Sequence, residues 1–115
     1  MLRSSMTTPI DRNPAFEAVT TTQPEWTQEQ AVQYEVARES ITALMAFRSQ
    51  WIFDEEHTDS PDLAAIARWR SERAALAAEL KGLDVRDQES IARICDTYGA
   101  EIRRLGALEQ QRDRA

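Results

Sequence analysis

The sequence predicts an all-α protein, an elongated antiparallel three-helix bundle preceded by an irregular N-terminal arm. Three observations carry that expectation. Apolar residues recur at helical spacing from Gln28 to about residue 110. Only two short stretches, around 56–60 and 82–85, interrupt them with turn and cap residues. No segment alternates with the two-residue period of a strand.

Residues 1–24 carry Pro9, Pro14 and Pro24, the tract Thr20–Gln23, and only Ile10, Phe16 and Val19 as scattered apolar anchors. Neither period holds there, so this segment reads as an extended or disordered arm and residues 25–115 as the three-helix domain. The first helix is expected over about 28–55. Thr27 and Gln30 have capping-box spacing, with Trp26 placed for a hydrophobic staple. The second is expected over 61–81, with Ser60 as N-cap, Pro61 at the first helical position and Gly82 just beyond the end. The third is expected over 86–110, with Asp84 as N-cap and Asp87 in the first turn. Short connections make consecutive helices antiparallel.

At 100° per residue each helix shows an apolar stripe. The third gathers Ile91, Ile94, Cys95, Tyr98, Ile102 and Leu105. Cys95 thus reads as a small core thiol, and as the only cysteine it forms no disulfide framework. The second gathers Leu63, Ile66, Trp69, Leu76, Ala77 and Leu80, with Arg70 and Arg73 inside the arc. The first gathers Tyr34, Ala37, Ile41, Leu44, Met45, Trp51 and Ile52 around Arg48. An arginine so placed snorkels, pairs with an acid or stacks on a ring. Antiparallel pairing through the 56–60 turn sets Trp51 near Ile66, Arg48 near Trp69 and Leu44 near Arg73, so an Arg48–Trp69 stack is expected. The first helix also has a second apolar line (Val32, Val36, Ala43, Phe47), and Phe53 points nearly opposite to the main stripe. Such a helix needs cover from more than one side.

The 115 residues carry a net charge of −6, all of it attributable to residues 25–60. No basic stripe marks a nucleic-acid surface, and no apolar run is long enough for a membrane span. The composition implies a soluble cytoplasmic protein. The start of the third helix offers Asp84, Asp87 and Glu89, which would repel phosphate, so a DNA-binding regulator built on the second and third helices is the weakest of the readings.

Candidate chemistry is sparse. His57 is the only histidine and stands among Glu55, Glu56 and Asp59, but the set lacks the spacing and the second histidine of a metal site. Its place at a helix end suits capping. There is no Gly-rich phosphate loop and no nucleophile–base–acid set, so neither an enzyme nor a cofactor is expected. The expected site is for a partner: Phe47, Trp51 and Phe53 as anchors, with Asp54, Glu55, Glu56, His57 and Asp59 as an acidic tip. The partner is another protein with a basic surface or a second copy of the chain; the second makes it a self-associating structural subunit. In size, acidity and helicity the chain resembles small helical accessory proteins of bacteria and their mobile elements, such as antitoxins, immunity proteins and inhibitors. That resemblance implies a non-enzymatic binding function.

Overall fold

A computed structural model describes residues 26–114, and the expected arm at 1–24 lies outside the described residues. Three helices follow in order: α1 (Gln28–Glu56), α2 (Leu63–Gly82) and α3 (Gln88–Arg114). The described residues form an all-α three-helix bundle, as the sequence predicts. None of the described helices is long and apolar enough to cross a membrane.

The helix starts are set by side chains that satisfy the first free N–H groups. At α1 the capping box is complete: Gln30 N donates to Thr27 Oγ1 at 3.1 Å, and Thr27 N donates to Gln30 Oε1 at 2.7 Å. At α2 the expected N-cap, Ser60, is displaced by Asp62, whose Oδ1 accepts from Ala65 N at 3.1 Å. Pro61 therefore stays outside the helix. At α3 the N-cap role passes from Asp84 to Asp87, whose Oδ1 accepts from Ser90 N at 3.2 Å. Asp84 instead closes the turn before it, accepting from the backbone and guanidinium of Arg86. These bonds, backbone first, hold the Asp84 carboxyl below the usual carboxylate range. The helix ends differ as well. Gly82 is the last residue of α2, with Leu83 as C-cap, and no described glycine has positive φ. A left-handed glycine cap is thus absent from α2. α3 runs four residues past its expected end.

α1 is the centre of the bundle, with α2 packed antiparallel to it and α3 parallel. The core cluster joins Ala37, Ile41 and Leu44 of α1 to Leu76 of α2 and Ile91, Ile94 and Leu105 of α3. Nearer the α1–α2 turn, Ile52, Ala65 and Ile66 are also buried. Burying each Leu or Ile stabilises by about 1.5–3 kcal/mol relative to exposure. The one buried polar side chain among the described residues, Ser40, is satisfied by donating to Val36 O at 2.9 Å. Two stripe members depart from expectation: Leu63 is 74% exposed and Ala77 is also exposed. Leu63 is the first residue of α2, one position beyond its cap, and lies clear of the neighbouring helices.

The register of α1 on α2 also differs, by about one helical turn. Arg48 meets Glu72, Ser49 meets Arg73, and Trp51 meets Trp69. The turn is wider than the sequence pairing assumes. Asp62 starts α2 two residues late, and Glu55 reaches across the turn to accept from Asp62 N at 2.9 Å.

Candidate functional site

α2 and α3 approach α1 from well-separated sides. Ser49, on the α2 side, and Phe47, on the α3 side, stand about 160° apart around a helix of 3.6 residues per turn. The two flanking helices consequently do not pack on each other: no Cα of α2 comes within 8 Å of one of α3. A trough of about 390 Å³ runs between them, with Leu44 and Arg48 as floor. Ala75, Leu76 and Glu72 form one wall, and Thr97, Tyr98 and Glu101 the other.

One polar bridge spans the trough. Tyr98 Oη of α3 donates to Glu79 Oε1 of α2 at 2.6 Å, and Arg93 Nη2 donates to Glu79 Oε2 at 2.7 Å. Burial pushes the Glu79 carboxyl up, but the bonds from Tyr98 and Arg93, with the charge of Arg93, outweigh it and hold the group below its ordinary value. Burial and the bond to Glu79 push the Tyr98 hydroxyl up.

Arg48 explains itself in this setting. Its side chain is only 15% exposed; Nε donates to Glu72 Oε1 at 3.2 Å, and the guanidinium lies 5.0 Å from the centroid of Trp51. The stack expected on Trp69 is thus made on Trp51, one consequence of the shifted register. Trp69 instead meets Trp51 at 5.7 Å and carries Arg68 at 5.7 Å. Arg48 Nη1 is buried with no hydrogen-bond partner among the described residues.

Farther along α1, Trp51 and Trp69 line a second hollow of about 320 Å³ with Asp54, Glu55 and Arg112. Trp51 also borders a third, of about 190 Å³, with Phe47, Leu105 and Leu108. Phe47 and Trp51 therefore belong together, their rings 6.1 Å apart. Phe53 does not join them. It is 56% exposed on the opposite side of α1, stacked at 4.1 Å on His57.

The acidic tip is divided in the same way. His57 is the C-cap of α1, and its Nδ1–H donates to Phe53 O at 2.7 Å. Glu55 ties the turn to the start of α2, and Glu56 accepts from Arg70 of α2 at 2.6 Å. Asp54 accepts from Gln50 of its own helix, at 2.9 Å, and faces the second hollow; Asp59 is exposed in the turn. The eight expected site residues thus fall into three groups: Phe47, Trp51, Asp54 and Glu55 beside the hollows, Phe53 with His57 on the far side, and Glu56 and Asp59 at the turn.

Cys95 is half-buried, not sealed in the core, with Sγ 3.5 Å from Gln33 O. Burial, with the charge of Asp96, pushes its thiol up, which disfavours the nucleophilic thiolate.

Sequence reasoning missed Glu72, Glu79, Tyr98 and Glu101 as parts of one surface. The available signal was Arg48, a cation at the middle of an apolar stripe that had to face acids on a neighbouring helix. Compared with protein-family models, with curated proteins and with solved structures, the chain matches none.

Proposed function

We propose that the chain is a non-enzymatic protein-binding module, and that it receives an apolar segment with basic flanks in the trough between α2 and α3. The observation that carries this reading is the separation of α2 from α3 over a floor of Leu44 and the part-buried Arg48. Two helices packed on a third leave the position of a fourth open, and four-helix packing is the common way to close such a surface. Glu72, Glu79 and Glu101 offer carboxylates along the lining, already paired with Arg48, Arg93 and Arg104 in turn, so a cationic occupant is received by exchange of ion-pair partners. Leu44, Leu76 and Tyr98 supply apolar contact, and Trp51 and Trp69 extend it toward Asp54 and Glu55. Buried aromatics contribute most to affinity and exposed charges mainly steer encounter. A small acidic adaptor of this kind is in keeping with the accessory and inhibitor proteins that the chain resembles in size and charge.

The test uses two synthetic amphipathic helices of equal length, one of leucine and lysine and one of leucine and glutamate. Amide shifts of the labelled chain are followed as each is added. The lysine peptide is expected to move signals of Leu44, Leu76, Tyr98 and Trp51 selectively, and to bind more weakly as salt rises. Glu101→Lys should weaken it roughly threefold to tenfold while the helical signal stays constant. Equal effects of the two peptides, or shifts scattered away from the trough, would remove the proposal.

A further inference from the structure

A second surface of α1 is left uncovered by the described residues, on the side away from the trough. Val32 is 50% exposed, Val36 41% and Phe53 56%. These three belong to one row. Positions 32, 36, 39, 43, 46, 50 and 53 advance by alternating steps of four and three, the spacing of a helix–helix seam. The row reads Val, Val, Glu, Ala, Ala, Gln, Phe, with large apolar residues at both ends and small ones in the middle. α2 and α3 pack on the remaining circumference of α1, so among the described residues the row stays exposed except at the part-buried Ala43.

We infer that this face is a two-fold interface between two copies of the chain, with their α1 helices antiparallel. The row is complementary to itself in that direction. Setting Val32 opposite Phe53 of the second copy also sets Glu39 opposite Ala46 and brings Ala43 to the two-fold axis, where small residues allow close approach. A parallel pair would instead place Glu39 against its own copy at the seam, a like-charge contact that destabilises. Beside the row, the antiparallel pairing puts Glu35 opposite Ser49 and Asp54 opposite Gln33, so no flanking carboxylates face each other. The strip from Val32 to Phe53 is about 31 Å long and about 10 Å wide on each copy. The pair buries on the order of 600–1,000 Å², the low end for a specific interface, so the dimer is reversible and concentration-dependent. Both troughs then face outward on opposite sides, and the interface stands or falls independently of the trough's ligand.

The mass of the full chain, measured by light scattering and sedimentation from about 1 µM to about 1 mM, should rise from one copy to two. Phe53→Glu should raise the dissociation constant at least about tenfold with the helical signal unchanged. The direction is read by cross-linking in a Cys95→Ser background. A Val32→Cys chain mixed with a Phe53→Cys chain should form the mixed disulfide in preference to either symmetric one. Three results would overturn the inference: a monomer at every concentration, a dimer indifferent to Phe53→Glu, or a preference for the symmetric disulfides. A dimer that forms only after residues 1–25 are removed would also overturn it, because those residues would then occupy the face.

Discussion

Glu79 is the residue on which the geometry of the trough turns. It is the acceptor for both Tyr98 and Arg93, and these are the bonds that link α2 to α3 across the gap. Its carboxyl is held below the ordinary value despite the cost of burial. The linkage has a definite sign. A carboxyl with a depressed folded-state pKa contributes stability that is fully present above its unfolded value, near ~4.3, and is lost as pH falls through the lower folded value. Glu79→Gln should therefore cost about 1 kcal/mol at neutral pH, with the partly exposed ion pair contributing little of it. The cost should shrink in the acid range below the ordinary carboxylate pKa. Urea midpoints of both proteins from neutral pH downward would measure this. A difference independent of pH would show that the carboxylate charge is not what Tyr98 and Arg93 require.

At the scale of the element, composition and periodicity identified three helices and most of their buried faces, because those properties are local. The element starts were less legible, since several residues near each start are competent caps and the sequence does not rank them. Ser60 and Asp62 both precede α2, and Asp84 and Asp87 both precede α3. The structure chooses the later aspartate each time. That choice shifts the α1–α2 register by about one turn, replaces Trp69 by Trp51 under Arg48, and so decides which side chains share a surface. The prediction at this scale contrasts two neighbours. Asp62→Ala should lower stability by about 1 kcal/mol, whereas Ser60→Ala should change it by less than about 0.5 kcal/mol. Thermal unfolding followed by circular dichroism would separate them, and a larger effect at Ser60 would put the cap back where the sequence alone suggested it.

For the whole molecule, what the sequence could not supply is the angle between the two packing directions on α1. Each stripe shows that a helix is covered; neither shows whether its two neighbours also cover each other. Here they do not. Phe47 and Phe53 end on different surfaces for a simpler reason, since six helical residues turn the chain by about 240°. This arrangement has a consequence for cooperativity. The core cluster draws Ala37, Ile41 and Leu44 from α1 and only Leu76 from α2, and no Cα of α2 comes within 8 Å of one of α3, although Glu79 bonds to Tyr98 and Arg93 across the gap. Opening α2 therefore need not open α3. Backbone amides of α1 from Ala37 to Leu44 should exchange most slowly, because every larger opening must expose them. Those of α2 should exchange faster than those of the first half of α3, since α2 is the shorter helix and has three buried residues, Ala65, Ile66 and Leu76. Leu76→Ala, expected to cost about 2–5 kcal/mol, should speed exchange in α2 more than in α3. Equal acceleration throughout would mean that the three helices open as one unit, with the Glu79 bridge coupling α2 to α3 far more strongly than its exposure suggests.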